Sequence, residues 1–145
     1  MYIDYHQDMY RQNTKLIADL EKAINGEYSA IQCYARLAQM AANEQQRRQI
    51  MEIREDEIKH FQLFSQFYTQ LTGNQPQPVM SEECAKQYME GLEAAIKDEQ
   101  ETVDFYLSVS DEATNGQIKE AFRRVAADEQ NHAVWFLYFF TKLLK

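Results

Sequence analysis

The 145-residue sequence has little of what ends or bends regular structure, with four glycines and two prolines. This scarcity disfavours folds built from many tight turns, which depend on those residues. Long apolar runs are also missing, since the longest, Ala133–Phe140, is far too short to cross a bilayer. Residues 1–10 contain Asp4 and Asp8 and no apolar core, unlike a secretory signal peptide. We therefore expect a soluble cytoplasmic protein.

Positive charge is also scarce, because 15 Lys and Arg stand against 23 Asp and Glu, for a formal net charge of −8. Nucleic acids and anionic membranes attract proteins mainly through basic patches. The charge balance therefore argues against both as partners. Hydrophobic residues make up 45% of the chain, which is ordinary for a folded protein, and the length suits one domain over residues 1–145.

The sequence has two cysteines, Cys33 and Cys84, and no Cys-x-x-Cys pair. Zinc ribbons, rubredoxin-type iron sites and thioredoxin-like motifs are excluded for that reason. A single disulfide is left open, although isolated cysteines in a chain of this length favour a reducing compartment. Neither cysteine has an evident basic neighbour that would activate it, so we expect inert thiols.

Apolar residues recur at three- and four-residue steps along four long segments, and no long segment alternates with period two. The pattern predicts an all-α chain. The predicted helices lie near residues 14–42, 44–72, 85–112 and 116–143. Asn43 and Thr114, each followed three residues later by glutamine, are typical of helix N-caps.

The connections between these helices predict their arrangement. Two of them are short, so each flanking pair of helices should form an antiparallel hairpin. The middle connection, residues 73–84, contains both prolines and no helical pattern. It can extend about 40 Å, roughly the length of one of these helices. The second and third helices are therefore predicted to run parallel, in a four-helix bundle with one long crossover connection.

The two predicted hairpins repeat each other at an offset of 72 residues, which indicates a duplicated helical hairpin. Two of the three histidines fall in the repeat, while His6 has no counterpart and is expected in an irregular, exposed N-terminal segment. The matched motifs are Ala23-Ile24-x-x-Glu27-x-x-x-Ile31-x-x-Tyr34 with Ala95-Ile96-x-x-Glu99-x-x-x-Val103-x-x-Tyr106, and Asp56-Glu57-x-x-His60 with Asp128-Glu129-x-x-His132.

Four glutamates of the repeat lie near the middle of a predicted helix and inside its apolar stripe. They are Glu27, Glu57, Glu99 and Glu129, and His60 and His132 follow two of them on the same face. Buried carboxylates are costly unless they are protonated, paired or bound to metal. Arg54 flanks Glu57, but one cation cannot balance four carboxylates. Two divalent cations would balance them, and Glu/His donors suit iron, manganese or zinc.

One Glu from each of two helices, with Glu-x-x-His from each of the other two, resembles the ferritin-like di-iron carboxylate superfamily. Over about residues 14–143 the sequence is most similar to the helical domain of rubrerythrins, and bacterioferritins share the ligand pattern. The resemblance implies a centre of two iron ions, with manganese or zinc as alternatives. It also implies that Glu57 and Glu129 bridge the metals, while Glu27 and Glu99 each bind one.

The same resemblance implies roles for the neighbours of these glutamates. His60 and His132 would each bind one metal, and Asp56 and Asp128 would hold the imidazole N–H of a ligand on a neighbouring helix. Two tyrosines on the same stripes would hydrogen-bond ligand carboxylates, namely Tyr34 and Tyr106. The alternatives are a solvated helix face for the aspartates and core packing for the tyrosines.

Two features of rubrerythrins are missing from the sequence. Rubrerythrins have an extra carboxylate three residues after the third-helix glutamate, where this chain has the neutral Thr102, and Glu101 is one residue off. The rubredoxin electron-transfer domain is missing as well. Short ferritin-like proteins without that domain also occur in spore-forming bacteria, some associated with the spore coat, and the pattern is similar to those too.

The resemblance therefore predicts an oxidoreductase whose centre reacts with O2 or hydrogen peroxide and takes electrons from an external donor. Iron storage in a ferritin-like assembly is one alternative, and a structural or spore-coat-associated role for a metal-binding protein is another. The aromatic run Trp135–Phe140 is apolar nearly all round its helix and predicts a homodimer or cover by the N-terminal segment.

Overall fold

The computed structural model describes residues 4–144, which form four α-helices and no strand. The helices are α1 (Tyr5–Gln39), α2 (Glu44–Thr72), α3 (Tyr88–Glu112) and α4 (Gly116–Leu143). The predicted all-α bundle is confirmed, and α2 and α4 have the predicted bounds. Within residues 4–144, none of the helices combines the length and apolar character that a bilayer span requires. Residues 1–3 and 145 of the predicted domain lie outside the described residues.

Two helix starts differ from the prediction. α1 begins at Tyr5, nine residues early, because the Asp4 carboxylate accepts hydrogen bonds from the backbone N–H groups of His6 and Gln7. This part of α1 is exposed, so no apolar stripe marks it in the sequence. His6 is exposed as expected, but it is helical and the prediction of an irregular segment is wrong. α3 begins at Tyr88, three residues later than predicted.

Asparagine side chains begin the second helix of each hairpin. Asn43 accepts a hydrogen bond from the backbone N–H of Gln46, as predicted. Asn115, not Thr114, caps α4 by accepting two backbone hydrogen bonds from its first turn. Asn115 is the repeat counterpart of Asn43, so the repeat is a better guide here than the local motif. Gly73, with φ of 76°, ends α2 in the left-handed conformation that favours glycine.

Contacts between α1 and α3 fix the direction of the chain. Glu112 at the end of α3 lies 2.7 Å from Lys15 near the start of α1. Gly91 at the start of α3 packs on Leu37 near the end of α1, and a Cβ there would lie 2.5 Å from Leu37 Cδ1. α1 and α3 are therefore antiparallel. Because α1 and α2 form a hairpin, α2 and α3 run parallel, as the long crossover predicts.

The crossover, residues 73–87, lies along α1 and is attached to it at three points. The attachment residues on α1 are spaced by four, so they share one face of the helix. The attachments are the hydrogen bonds Val79–Asn25 and Ser81–Ser29, at 2.9 and 2.8 Å, and the Cys84–Cys33 disulfide. The expectation of inert thiols is wrong and the disulfide that the sequence left open is present, since the crossover brings the cysteines together across a separation of 51 residues.

Removal of this disulfide is expected to destabilise the fold. Because it closes a loop of 51 residues, the double substitution Cys33→Ser and Cys84→Ser should lower the free energy of unfolding by about 4 kcal/mol. That corresponds to a fall in Tm of roughly 10 °C, measured by circular dichroism. Ser81→Ala removes the 2.9 Å hydrogen bond between the Ser81 and Ser29 hydroxyl groups and keeps the disulfide, so its fall in Tm should be much smaller. Equal Tm values for the double variant and the native chain would contradict the prediction.

Two apolar clusters fill the bundle, one on each side of a polar layer. The first includes Leu20, Phe64, Tyr106 and Phe122, and the second includes Tyr34, Ile50, Leu92 and Phe136. Every helix contributes to both clusters. On each helix the residues between the clusters include a buried glutamate, so the apolar packing places four carboxylates at one level.

Candidate metal centre

The polar layer contains all six residues of the predicted ligand set. The glutamates are only 1–2% exposed, His60 is 5% exposed and His132 is 1% exposed. One glutamate comes from each helix, and the two histidines come from α2 and α4. Helical spacing alone produces this convergence, because each residue faces the bundle axis between the two apolar clusters. The six residues are Glu27, Glu57, His60, Glu99, Glu129 and His132.

Their ligand atoms form two overlapping groups. One group is Glu27, Glu57, His60 and Glu129, and the other is Glu57, Glu99, Glu129 and His132. Within each group, one ligand atom per residue lies within 4.8 Å of all the others. Glu57 and Glu129 belong to both groups, whereas the remaining residues each belong to one. The arrangement therefore has two adjacent positions that could each hold a metal ion, with two carboxylates shared between them.

Each imidazole faces the carboxylates with Nδ1 and faces outward with Nε2. The Nδ1 atom of His60 lies 3.0 Å from Glu129 Oε1 and 3.2 Å from Glu57 Oε1. Its Nε2 atom lies 2.9 Å from Asp128 Oδ2, and Nε2 of His132 lies 2.9 Å from Asp56 Oδ2. When an aspartate accepts a hydrogen bond from Nε2–H, the proton stays on Nε2 and the Nδ1 lone pair points at the centre. This is the tautomer that binds metal.

The two predicted tyrosines hydrogen-bond glutamates across the bundle. Tyr34 on α1 donates to Glu99 Oε1 on α3 at 2.5 Å, and Tyr106 on α3 donates to Glu27 Oε1 on α1 at 2.7 Å. Both tyrosines also pack in the apolar clusters. The exchange is reciprocal, as expected from a duplicated hairpin. Each hydroxyl occupies one oxygen of a glutamate and leaves the other free to face the centre.

Six carboxylate oxygen and imidazole nitrogen atoms of the polar layer have no hydrogen-bond partner among residues 4–144. Such orphans are rare in folded proteins, because a buried polar atom without a partner costs about 1–3 kcal/mol. Six orphaned atoms in one cluster, four of them carboxylate oxygens, are what a pair of cations would satisfy. The residues present therefore suit two divalent ions of the kind that bind Glu and His. The atoms are Glu27 Oε2, Glu57 Oε1, His60 Nδ1, Glu99 Oε2, Glu129 Oε1 and His132 Nδ1.

Burial and mutual repulsion perturb the acids and bases of the layer. Burial raises the pKa of Glu57 and Glu129 well above their usual range, and the charge of Glu27 adds to the effect. Burial lowers the pKa of His60 and His132, but the surrounding carboxylates more than offset this. The pKa of His60 is raised, and that of His132 rises to about 9. Without a cation, the layer therefore holds protons in place of metal.

The stability of the metal-free protein should fall as the pH rises. The pKa of His132 is about 9 in the fold against an ordinary 6.5, so its contribution is complete below 6.5 and disappears towards 9. The raised pKa values of Glu57 and Glu129 act in the same direction. We expect a loss on the order of 3 kcal/mol between those pH values.

Bound metal should reverse this trend, because it displaces the protons and binds more tightly as they leave. The measurement is Tm from pH 6.5 to 9, the range between the ordinary pKa of histidine and the pKa of His132 in the fold. It is made on the metal-free chain and on the chain loaded anaerobically with Mn(II). If the Tm of the metal-free chain increased with pH over this range, the predicted loss of stability would be contradicted.

A cavity of about 230 Å³ connects the surface to the centre. It reaches all four glutamates and is bordered by the small residues Gly26, Ala30 and Thr102. Glu82 of the crossover and Asp98 of α3 lie at its side, and burial together with Glu82 raises the pKa of Asp98 to about 8. The sequence carried no signal for Glu82, because only the path of the crossover brings it here.

Arg124 is a second residue that the sequence reasoning missed. Its Nη1 atom lies 2.5 Å from Asp128 Oδ1, the carboxylate that accepts from His60. The four-residue spacing on α4 is the signal that could have found it. The repeat counterpart of Arg124 is Glu52, so Asp56 lacks the equivalent cation. The two halves of the centre therefore differ in how firmly the supporting aspartate is held.

Comparison with known proteins gives a family match and a curated relative. The Rubrerythrin family model matches residues 90–145, a segment that contains Glu99, Glu129 and His132. The uncharacterized protein YhjR of Bacillus subtilis (strain 168) is 55% identical over 130 residues, which is 90% of each chain.

Solved structures share the bundle. A ferritin-like, diiron-carboxylate protein from Bacillus anthracis str. Ames has a TM-score of 0.78 at 25% identity, covering 89% of this chain and 97% of that one. The bacterioferritin of Desulfovibrio desulfuricans, which has a diiron site, has a TM-score of 0.80 at 22% identity, covering 92% and 82%. The family match over residues 90–145 and the shared bundle support placement of this chain in the ferritin-like superfamily, close to the rubrerythrin domain.

Proposed function

We propose that the chain is a non-haem di-iron oxidoreductase that reacts with O2 or hydrogen peroxide, in a ferroxidase-like or peroxide-scavenging role. The observation that carries the proposal is the cluster of six orphaned donor atoms in two groups sharing Glu57 and Glu129. A purely structural layer would need no such set of unsatisfied carboxylates, because apolar residues of similar volume would stabilise the bundle at least as well.

The geometry supports a different metal-binding role for each pair of residues. Glu57 and Glu129 would bridge two irons, because they belong to both groups. Glu27 and Glu99 would each bind one iron through the oxygen that the tyrosine hydroxyl leaves free. The two histidines would each bind one iron through Nδ1 while an aspartate holds Nε2. Bound iron supplies two electrons and a position for the oxidant.

Access to the centre supports a small oxidant as the substrate. The cavity that reaches the four glutamates is also lined by the small residues Ala30 and Thr102. Thr102 stands where rubrerythrins have an additional carboxylate, so this position supplies no further negative ligand. The hydroxyl of Thr102 and the carboxyl groups of Glu82 and Asp98 would orient a peroxide or water by hydrogen bonds, while Phe105 closes the apolar side.

Single-turnover oxidation tests this function. The native chain is loaded anaerobically with two Fe(II) per chain and mixed with O2 or hydrogen peroxide, and absorbance follows the formation of Fe(III). We expect oxidation at least tenfold faster than for free Fe(II), and the preferred oxidant separates a ferroxidase from a peroxide scavenger. Oxidation no faster than in buffer, in a chain that binds both irons, would instead favour a structural role.

We propose a homodimer in the cytoplasm with an external electron donor, and the surface of α4 supports the dimer. Val134, Leu137 and Tyr138 are 61%, 47% and 47% exposed on this helix, a patch that a second chain would cover. Light scattering measures the mass directly. A dimer supports the proposal, and a shell of many chains would instead support iron storage.

A further inference from the structure

We propose that Cys33 and Cys84 form an internal two-electron donor, so that the chain couples oxidation of its own dithiol to reduction of hydrogen peroxide. The inference rests on the proposed function and adds the source of the electrons. Each peroxide needs two electrons, and a centre that has given up its own must be reduced again. The disulfide pairs the two cysteines of residues 4–144, and a disulfide that is reduced to two thiols stores two electrons.

The disulfide lies beside the ligand layer. Cys33 directly precedes Tyr34, whose hydroxyl donates to Glu99 Oε1 at 2.5 Å. Cys33, Cys84, Tyr34 and Asp98 line one small cavity of about 30 Å³. Asp98 also lines the larger cavity that reaches the glutamates. The sulfur atoms and the metal ligands are therefore connected through Tyr34, which follows Cys33 in the chain, and through Asp98, which lines both cavities.

The attachment of the crossover to α1 allows the disulfide to be reduced and formed again. Hydrogen bonds from Val79 and Ser81 hold it on α1 independently of the sulfur atoms. After reduction, these contacts keep Cys84 opposite Cys33, which favours renewed disulfide formation over reaction with other thiols. Both cysteines are only partly buried, so a small external thiol can reach them.

The reaction is balanced without a further reactant. Two S–H bonds and the O–O bond of the peroxide break, and one S–S bond and two O–H bonds form. The sulfur atoms lose two electrons and the peroxide oxygens gain them, so Cys33–SH, Cys84–SH and H2O2 become the disulfide and two water molecules. An external thiol then reduces the disulfide by exchange and is itself oxidised, which makes a thiol the class of electron donor.

Peroxide stoichiometry tests the inference. The chain is reduced with a dithiol, desalted anaerobically, loaded with two Fe(II) and titrated with hydrogen peroxide. Free thiols are counted by reagent and by intact mass. The native chain should consume about two equivalents and lose both thiols, since metal and dithiol each supply two electrons. The double variant Cys33→Ser/Cys84→Ser should consume about one. Ser81→Ala, which weakens the same crossover but keeps the thiols, should behave like the native chain.

The other outcomes separate the two proposals. One equivalent in both the native chain and the double variant, with the native thiols intact, would overturn the inference and leave the proposed function standing. Thiol loss that is equally fast without iron would also overturn it, because the peroxide would then attack sulfur directly. No iron-dependent consumption in either the native chain or the double variant would instead contradict the proposed function.

Discussion

Replacing Glu57 with glutamine is expected to abolish the rise in Tm that anaerobic Fe(II) produces in the native chain. Glu57 belongs to both ligand groups, and its Oε1 atom lies 3.2 Å from Nδ1 of His60 and 3.3 Å from Nδ1 of His132. A neutral amide cannot bridge two cations and donates N–H groups where ligand lone pairs are needed. One substitution should therefore weaken both metal positions together.

The size of the effect follows from mass action. Metal at a hundred times its dissociation constant adds about 2.7 kcal/mol to the free energy of unfolding, so the native Tm should rise by roughly 5–10 °C. Without metal, Glu57→Gln removes a buried carboxylate from a crowded layer, so the variant should be at least as stable as the native chain. This separates loss of metal from loss of fold.

The matched control is Glu55→Gln, on the exposed face of the same helix two residues away. It changes the net charge by the same amount and leaves the layer intact, so its Fe(II)-dependent rise in Tm should equal the native one. Calorimetry with and without Fe(II) makes the comparison. A Glu57→Gln variant with the full native rise would show that metal binds elsewhere.

The second large effect is expected at the aspartates behind the histidines. Asp56→Asn and Asp128→Asn should each lower the affinity for metal about 10- to 100-fold. Each aspartate lies 2.9 Å from an imidazole Nε2, and its charge fixes the tautomer that presents Nδ1 to the centre. Asparagine keeps the shape but removes the charge, so ligand orientation weakens while the fold remains.

The two aspartate substitutions should have different effects on the metal-free protein. Arg124 bonds Asp128 but has no counterpart beside Asp56, so only Asp128→Asn leaves a cation without its partner. Affinities come from anaerobic titration calorimetry, with Asp111→Asn, an exposed aspartate of α3, as the control. Native affinity in both variants would show that these carboxylates merely occupy a solvated helix face.

The repeated Glu and His pattern predicts the layer because it joins spacing to an electrostatic constraint. Four carboxylates on apolar stripes require counter-charge, so Glu27 and its counterparts could be read as one cluster. The paths of exposed or irregular segments have no such constraint. The start of α1 depends on one capping side chain, Asp4, and the Cys33–Cys84 pairing depends on how the crossover lies on α1. Neither leaves a periodic trace in the sequence.

The two tyrosines are only partly predictable from the sequence. Their spacing from Glu27 and Glu99 places them on the right stripe, but not on a particular partner. In the structure each hydroxyl reaches across to the glutamate of the other helix, because α1 and α3 are antiparallel and adjacent. A prediction of the partner therefore requires the topology, which follows from the length of the crossover.

The central claim is that the polar layer holds a pair of iron ions, and metal content per chain tests it most directly. The protein is purified without chelator or a nickel column, loaded anaerobically with Fe(II), desalted and analysed by mass spectrometry. Two irons per chain, with both lost in Glu57→Gln and retained in Glu55→Gln, is the predicted result. No retained metal, or the same metal content in both variants, would contradict the claim.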